Sequence, residues 1–512
     1  MGGLCPPATP AWTAAHTSRR LTGLLHGSLC AGIERETSVR PMRARGLTGC
    51  STNRAPVVTQ SLQEQELPHF AATAIVHPVV RRVDMDRRRF IEAGTALSLG
   101  AFAGAVEPER GAAAPLPSPA PLAFQGEKSK LMITGVRMVR PRPAKPLPAY
   151  EPAPGSWSTG GAIVANPMSI YPRYKAKRTS FMADDLGPDA VEISTDKGIK
   201  GIGFGGPGCS FVIERHLTKL LMGEDPFNVE ELWDIMWRST LYYGRKGLVI
   251  NAISAVDLAL WDIIGKALGM PVYKLLGGET KSRIPAYCTG NDIEQHIKFG
   301  YKRLKLAVPY GPADGRDGLK KNAELVRTTR ESLGPDGDIM LDCWMALTED
   351  YTIELAEVVA PYRVYWMEEV LPPDDYDGFK RLHSRIQTTK LATGEHEYTR
   401  WGFRLLLEYN AVDVWQPDIT WCGGLTELRH IAALAGAYNI PVIPHAGWSH
   451  GGAHFIMATT NSPWCEMFLP PPGGPPEVYQ RFEEENQITR GPEGIYMRPP
   501  DRPGFGWELV VD

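Results

Sequence analysis

Short apolar runs that end in an acidic residue recur at similar intervals in the C-terminal half of this chain, and they constrain its fold most strongly. The run "IMLD" ends in Asp342, "VYWME" ends in Glu368, and "LATGE" ends in Glu395. Apolar runs of this length are typical of buried parallel strands. Because a β/α barrel presents the C-terminal ends of its parallel strands on one face, the pattern predicts that these three carboxylates meet there.

Five further strand-like apolar runs, most of them without a terminal acid, extend the repeat at a spacing of roughly 25 residues. Amphipathic helical stretches such as "LKKNAELVRTTRESLG" separate most of the runs, which predicts a (β/α) barrel. A doubly wound open sheet is the alternative, but its ligands would gather at one switch point. In chain order the runs are "RIPAYCTG", "YKRLKLAV", "DIMLDCW", "VYWMEE", "KLATGE", "AVDVWQPD", "IPVIPH" and "PWCEMF".

The chain before the barrel predicts a smaller α+β domain, because strand patterns come first and helical patterns follow. We expect this capping domain over residues 130–255 and the catalytic barrel over 256–485. The closing stretch, 486–512, contains "PGFGWELVVD" and is expected to return to the first domain as a short strand.

A hairpin is predicted in "AVEISTDKGIKGIGFGG", with its turn at "DKG". Gly201, Gly203 and Gly206 in its second arm match the G-x-G-x-x-G spacing of dinucleotide sites. We discount this match because a hairpin arm is not the βαβ unit that such a site requires.

The N-terminal region carries the pattern of an export signal. Arg87 and Arg88 precede a modest apolar stretch and then several alanines, which resembles a twin-arginine signal over residues 85–114. Residues 115–129 predict a linker, and residues 1–84 are interpreted as disordered or as an over-called start. The mature protein is therefore expected in the periplasm or exported, with no membrane association afterwards, or in the cytoplasm if the signal does not function.

Composition excludes several classes of function. Residues 1–114 contain 13 Arg and no Lys against 9 acidic residues, so the rest of the chain is acidic overall and offers no basic face for nucleic acid. The eight cysteines are scattered without a C-x-x-C pair, which favours buried or loop thiols over a zinc site or a disulfide framework.

The chemistry predicted from the residues is that of a metal-dependent enzyme. Three carboxylates at one face would repel one another unless a cation lies between them, and oxygen ligands in that number suit Mg²⁺. The pattern does not decide between Glu368 and Glu369, which alternate across the strand. The run "IPVIPH" ends in His445, which places a histidine beside the metal, and "QPD" ends the preceding run in Asp418.

Several segments resemble the enolase superfamily, in its mandelate racemase/muconate lactonizing enzyme branch. They are "AISAVDLALWDIIGKALGMPVYKLLGG", the acids on three successive strands, "QPD", "PHAGW" and "PGFGWEL", and the resemblance covers residues 130–512. It implies an α/β fold, a modified TIM (β/α)7β barrel with an N-terminal α+β capping domain. It also implies one Mg²⁺ per subunit, a small-molecule acid substrate and a homo-oligomer.

The resemblance further implies roles for individual residues. Asp342, Glu368 and Glu395 would bind the metal. His445 would be the base, with its ring held by Asp418. The remaining roles are a hydrogen bond from a protonated or shared Glu466 to the substrate carboxylate, electrostatic support from Lys305, and substrate contacts from Arg178 and His396.

The residues of the second predicted strand limit the reaction classes that we expect. Many relatives carry Lys-x-Lys there, whereas this chain has Lys305-Leu306-Ala307, and Ala307 cannot accept a proton. A single His–Asp pair suits dehydration of a sugar acid to a 2-keto-3-deoxy acid. A racemase, epimerase or cycloisomerase is the alternative, and a non-catalytic periplasmic sugar-acid binding protein is a more remote one.

Within the branch, "LYYGRKGLVINAISAVDLALWD" and "QPDITWCGGLTEL" resemble the rhamnonate dehydratase subgroup. A histidine expected in its capping loop is absent here, and Ser158 lies near that place. The loop selects the substrate in this superfamily, so the identity of the sugar acid stays open.

Overall fold

A computed structural model of the protein describes residues 130–157, 164–175 and 186–511. The predicted signal, the linker, Ser158 and Arg178 lie outside these ranges. The capping region contains a three-stranded antiparallel sheet and several helices. The sheet contains β1 (Ile133–Val139), β3 (Ala190–Thr195) and β4 (Lys200–Phe204), and the short strand β2 (Arg142–Pro143) lies outside it. Its helices are α1 (Pro172–Lys175), α2 (Cys209–Val212), α3 (Thr218–Leu221), α4 (Val229–Thr240) and α5 (Leu248–Leu268), with a π-helical turn at Ile213–Leu217.

The predicted hairpin is confirmed, and helix α5 packs directly on it. Strand β3 pairs antiparallel with both β1 and β4. A Cβ atom added at Gly203 would lie 1.9 Å from the Ala255 carbonyl oxygen, and one at Gly201 would lie 2.1 Å from that of Ala259. The glycines therefore permit close contact between strand and helix, which gives this part of the G-x-G-x-x-G match a structural explanation.

Helix α5 is long and apolar enough to cross a membrane by length and composition, but 94% of its most apolar window is buried inside the protein. It contacts the capping sheet on one side and barrel helices on the other. The predicted domain boundary between residues 255 and 256 falls inside this continuous helix.

Parallel strands form the centre of the second region, in the order β10-β9-β8-β7-β6-β5-β11. The seventh predicted run differs from the others, because Val442 and His445 make isolated parallel bridges with Trp415 and Asp418 instead of a continuous strand. The strands are β5 (Ile284–Thr289), β6 (Arg303–Ala307), β7 (Asp338–Asp342), β8 (Val364–Glu368), β9 (Lys390–Thr393), β10 (Val414–Trp415) and β11 (Cys465–Met467).

Amphipathic helices alternate with these strands, as the sequence predicts. They are α6 (Val272–Leu275), α7 (Ile293–Phe299), α8 (Gly315–Leu333), α9 (Glu349–Val359), α10 (Tyr376–Arg385), α11 (Thr399–Glu408), α12 (Gly424–Gly436), α13 (Gly452–Ala458) and α14 (Pro476–Glu485). Short 3-10 turns lie at Pro167–Ile170, Pro312–Asp314 and Ala360–Tyr362.

The C-terminal segment connects both regions. The predicted return to the first domain is confirmed, because β14 (Leu509–Val510) pairs with β2. Before it, β12 (Thr489–Gly491) and β13 (Gly494–Met497) form a hairpin whose second strand pairs antiparallel with β5. The sequence analysis did not predict this hairpin.

Candidate active site

Three carboxylates converge at the C-terminal ends of β7, β8 and β9. Asp342 and Glu368 are register partners on neighbouring strands, and Glu395 follows β9. One ligand oxygen from each of the three lies within 4.8 Å of the others. Glu368 and Glu395 are buried. The strand ends therefore bring together the residues that the sequence pattern grouped.

The backbone conformation directs the side chains of Glu368 and Glu369 to different places. Glu369 has a left-handed φ of 45°, which turns its side chain away from the strand direction. Its carboxylate accepts hydrogen bonds from the backbone N–H of His396 at 3.1 Å and from the ring Nδ1 of His396 at 2.8 Å. Glu369 therefore hydrogen-bonds His396, whereas the Glu368 carboxylate lies beside those of Asp342 and Glu395.

Lys305 places a positive charge inside this acidic centre. Its Nζ lies 2.6 Å from Glu368 Oε1, 2.8 Å from Glu466 Oε1 and 3.5 Å from Asp342 Oδ2. The side chain is 1% exposed, and the surrounding carboxylates hold the pKa of Lys305 well above its usual range despite burial. Lys305 is therefore protonated and offsets part of the negative charge.

The remaining negative charge affects the carboxylates. Burial, reinforced by the charge of Asp342, raises the pKa of Glu368 to about 8 even though Lys305 opposes this shift. Burial also raises the pKa of Glu395 to about 7. Both shifts have the direction expected of oxygen donors grouped in a dry site that lacks enough positive charge.

His445 faces the same centre and is held by Asp418. Its Nδ1 lies 2.7 Å from Asp418 Oδ2, and its Nε2 lies 3.4 Å from Glu395 Oε1. The other oxygen of Asp418 accepts hydrogen bonds at 2.6 Å from the backbone N–H and the hydroxyl of Thr420. Asp418 therefore fixes the ring with Nε2 directed toward the carboxylates.

Burial would lower the pKa of His445, but Glu395 and the hydrogen bond to Asp418 raise it to about 10. A base that works near neutral pH needs a lower value. A divalent cation that neutralises Glu395 would shift the pKa of His445 in that direction.

Both oxygens of the Glu466 carboxylate have hydrogen-bond partners, and the group is ionised. Its Oε2 accepts a hydrogen bond from the Ala446 N–H at 2.7 Å, while Lys305 and the hydroxyl of Thr289 contact Oε1. Burial opposes ionisation, but Lys305 and His445 hold the pKa of Glu466 below its usual value. Glu466 is therefore ionised in this arrangement and paired with Lys305, and its hydrogen bond to the substrate carboxylate, through a protonated or shared group, stays a prediction.

His396 forms a second histidine–carboxylate pair on the far side of Glu395. Its Nε2 lies 3.9 Å from Glu395 Oε1, and its ring centroid lies 5.1 Å from that of Trp421. Glu369 and Glu395 raise the pKa of His396 to about 9 against the effect of burial. Arg178, the other residue expected to contact substrate, lies outside the described residues.

Two histidines of the loop "HAGWSHGGAH" are buried and not solvated. His454 accepts a hydrogen bond from the Tyr273 N–H at 3.2 Å through Nδ1 and contacts the Phe505 carbonyl oxygen at 3.2 Å through Nε2. His450 packs on Phe204 of the capping hairpin, with ring centroids 4.5 Å apart. His454 is therefore structural, and His450 joins the capping hairpin to the barrel end.

Three neutral polar residues that support the site were missed by sequence reasoning. Thr289 contacts Glu466, and Gln416 Nε2 donates a hydrogen bond at 2.6 Å to Glu368 Oε2. Asn291 exchanges two hydrogen bonds with the backbone of Ala307, at 2.8 and 2.9 Å. Their position at or just after a predicted strand end is the signal that would have found Thr289 and Gln416.

The donor set fits a hard divalent cation. Octahedral Mg²⁺ binds oxygens at about 2.0–2.1 Å, so ligand oxygens around one ion lie at most about 4 Å apart. Asp342, Glu368 and Glu395 need only small side-chain adjustments from their present separation of up to 4.8 Å. A second cluster, Glu369 with Glu395 and His396, satisfies the same distance limit. It fits less well because Glu369 is already bonded to the His396 ring.

Comparisons with known proteins match both regions of the chain. Residues 187–277 match the mandelate racemase/muconate lactonizing enzyme N-terminal domain, and residues 290–512 match the enolase C-terminal domain-like family. The chain is 45% identical over 350 residues to an L-rhamnonate dehydratase from Saccharopolyspora erythraea, covering 68% of this chain and 89% of that protein.

Solved structures agree with these matches. A crystal structure of L-rhamnonate dehydratase from Gibberella zeae is 38% identical with a TM-score of 0.64, covering 74% of this chain and 94% of that one. A structure of rhamnonate dehydratase from the same organism complexed with Mg is 37% identical with a TM-score of 0.64, covering 76% and 96%. This chain therefore belongs to the mandelate racemase/muconate lactonizing enzyme branch of the enolase superfamily, with a TIM barrel and a capping domain.

Proposed function

We propose that this protein is a Mg²⁺-dependent acid-sugar dehydratase that uses one cation per subunit and acts on L-rhamnonate or a closely similar sugar acid. The observation that carries the proposal is the His445–Asp418 pair, whose Nε2 lies 3.4 Å from Glu395 Oε1, together with a second strand that ends in Ala307 and not in a base. The names of the relatives at 38–45% identity support the same reaction class.

The site residues have distinct roles in this proposal. Asp342, Glu368 and Glu395 hold Mg²⁺, which when bound stabilises the negative charge that develops on the substrate carboxylate. Lys305 adds fixed positive charge next to the same oxygens. Glu466 fixes the Lys305 ammonium and contacts the Ala446 N–H, so it orients this charge rather than donating a proton.

His445 carries the proton through the reaction. Its Nε2 accepts the proton on the carbon next to the substrate carboxylate, and the carbon–hydrogen electron pair delocalises into that carboxylate. The electron pair then returns to form the double bond to the β-carbon as the β-hydroxyl leaves. The imidazolium then returns a proton to the departing hydroxide, which leaves as water. The resulting enol tautomerises to the 2-keto-3-deoxy acid. Asp418 stabilises the imidazolium between the two steps.

The second strand supports elimination over epimerisation. A two-base epimerase needs a proton carrier on each face of the substrate carbon. Lys305 is bonded to Glu368 and Glu466 and stays protonated, and Ala307 has no titratable group. The side chains of this strand therefore supply no free base opposite His445.

The test is incubation of the purified protein with Mg²⁺ and a panel of sugar acids, followed by an assay for 2-keto-3-deoxy product. We expect product from L-rhamnonate or a close analogue, and none after chelation of the metal. Conversion of an acid to its epimer without ketone would contradict dehydration. Tight binding without turnover, unchanged in His445→Asn, would instead favour the binding-protein alternative.

We also propose export of the folded enzyme by the twin-arginine route, supported by Arg87 and Arg88 ahead of the apolar stretch. Cell fractionation of the full chain and of an Arg87→Lys/Arg88→Lys variant tests this, since the variant should stay in the cytoplasm. A homo-oligomer remains our expectation, and light scattering measures it directly.

A further inference from the structure

A lysine of the capping region reaches the barrel beside the candidate metal site. Lys246 lies in the connection between α4 and α5. Its Nζ is 2.9 Å from Glu397 Oε1 and 2.7 Å from Asp374 Oδ1, and it donates a hydrogen bond at 3.1 Å to the Tyr376 hydroxyl. Since Glu397 is two residues beyond Glu395, these contacts link the capping region to the turn that carries a candidate metal ligand.

The buried Glu397 carboxylate depends on Lys246 for neutralisation of its charge. Its side chain is 1% exposed, and an ionised carboxylate in the interior is costly unless it is paired and hydrogen-bonded. The Tyr398 N–H donates to Oε1 at 2.7 Å, and the Tyr376 hydroxyl donates to Oε2. Of these partners, Lys246 alone carries a positive charge, so it is the group that neutralises Glu397.

A glycine of helix α11 makes room for the same carboxylate. A Cβ atom added at Gly402 would lie 2.1 Å from Glu397 Oε1 and 2.4 Å from Cδ. Any larger side chain there would push the carboxylate away from its present position. The position of Glu397 is therefore determined from three sides, by Lys246, by Tyr376 and by the helix backbone at Gly402.

The turn transmits this position to the metal ligand. The Glu397 N–H donates to the Gly394 carbonyl oxygen at 3.2 Å, which closes a turn with Glu395 and His396 at its centre. Glu395 is one of the three grouped carboxylates, and His396 is held by Glu369. A displacement of Glu397 would therefore shift this turn and, with it, the side chains of Glu395 and His396.

We propose that Lys246 is a positioning residue for the metal site. It fastens the turn 394–397 so that the Glu395 carboxylate faces Asp342 and Glu368. This inference rests on the metal site of the proposed function, but it does not depend on which acid is the substrate.

The experiment is calorimetric titration of the full chain with Mg²⁺. Lys246→Met should weaken Mg²⁺ binding by about tenfold, the lower end of what supporting contacts to metal ligands contribute. Lys246→Arg keeps the charge and should recover most of the affinity. Gly402→Ala, which displaces the carboxylate without removing charge, should weaken binding like Lys246→Met. The matched control is Lys321→Met, which breaks an exposed pair with Asp317 and should leave the affinity unchanged.

A Lys246→Met protein that melts lower but binds Mg²⁺ with the parent's affinity would overturn the proposal, because Lys246 would then only stabilise the fold. If Lys246→Met does not fold, the double variant Lys246→Met/Glu397→Gln removes the unpaired buried charge. This double variant should fold and bind Mg²⁺ about tenfold more weakly, and parent-like affinity would again overturn the proposal. Failure of the parent protein to bind Mg²⁺ would contradict the proposed metal site, and therefore also this inference.

Discussion

Glu368 lies at the most crowded point of the carboxylate cluster. It contacts Lys305 through Oε1 and accepts hydrogen bonds from Gln416 and Trp366 through Oε2. Replacing it with Gln keeps the shape but removes the charge that a hard cation requires. We expect Glu368→Gln to weaken Mg²⁺ binding by more than about tenfold and to lower turnover in parallel, as measured by calorimetry and by the dehydration assay.

The control for this change is Glu331→Gln, which alters an exposed carboxylate paired with Arg327 on helix α8. It should leave both measurements at the parent values. Unchanged Mg²⁺ affinity in Glu368→Gln would show that the cation binds elsewhere.

At single residues, the sequence grouped charged side chains that the structure brings together, and it missed the neutral ones beside them. Asp342, Glu368 and Glu395 were identified because charge after an apolar run is rare unless it has a role. Thr289 contacts Glu466 and Gln416 contacts Glu368, but a threonine or glutamine at a strand end has many ordinary explanations. The pairing of Glu466 with Lys305 was not predicted, because the two residues are far apart in the chain.

At the level of elements, close packing of the β3–β4 hairpin on helix α5 depends on glycine. A methyl group at Gly203 would lie 1.9 Å from the Ala255 carbonyl oxygen and 2.5 Å from the Ala259 backbone nitrogen. We expect Gly203→Ala to lower the free energy of unfolding by about 1–3 kcal/mol, as overpacked cores do. Urea unfolding followed by tryptophan fluorescence measures this.

Gly135→Ala is the matched strand control, since its added Cβ would meet only the Ser194 Cβ at an ordinary 3.7 Å. Equal stability of both variants would mean that strand and helix can separate without cost.

Helix α5 also buries an acid that is expected to make the stability of the protein depend on pH. Asp257 is fully buried, and its Oδ2 accepts a hydrogen bond from the Thr426 N–H at 2.9 Å. Burial raises the pKa of Asp257 from its usual value near 3.8 to about 7. The folded protein therefore binds a proton that the unfolded chain has already released. This contribution to stability is present at low pH and is lost as pH rises from about 4 to about 7.

Asp257→Asn cannot ionise, so it should lack this part of the pH dependence. The unfolding free energy of the parent should fall relative to that of the variant by a few kcal/mol, on the order expected for such a shift, between pH 5 and pH 8. Denaturation curves at the two pH values test this. A constant difference between the two proteins would contradict the raised pKa.

The predictability of elements followed the strength of their local patterns. Strands β5 to β9 and the helices between them were predicted because each carries its own apolar periodicity. The β12–β13 hairpin was not, because "TRGPEGIYM" has little alternation and its pairing with β5 joins residues far apart in the chain. The run "IPVIPH" has the composition of a strand, but two prolines limit its backbone donors, and it forms isolated bridges.

In the molecule as a whole, contacts between distant parts of the chain join the capping region to the barrel and to the C-terminal segment. The Trp233 indole donates to the Gly423 carbonyl oxygen at 2.7 Å, Lys246 neutralises Glu397, and β14 pairs with β2. The first two contacts have no sequence signature, because each joins residues far apart in the chain, whereas the return of the C-terminal segment was predicted from "PGFGWELVVD". The fold class was nevertheless predictable, because charged residues recur after successive apolar runs, as they do at the strand ends of a β/α barrel.

The most direct measurement is proton NMR of L-rhamnonate in D₂O with Mg²⁺ and either the parent enzyme or His445→Asn. We predict that the parent consumes the proton next to the carboxylate while a 2-keto-3-deoxy product accumulates. His445→Asn should still bind Mg²⁺ but turn over about 10²–10⁴-fold more slowly, the usual contribution of a general base. Parent-like turnover by His445→Asn, or exchange of that proton without any ketone, would contradict dehydration with His445 as the base.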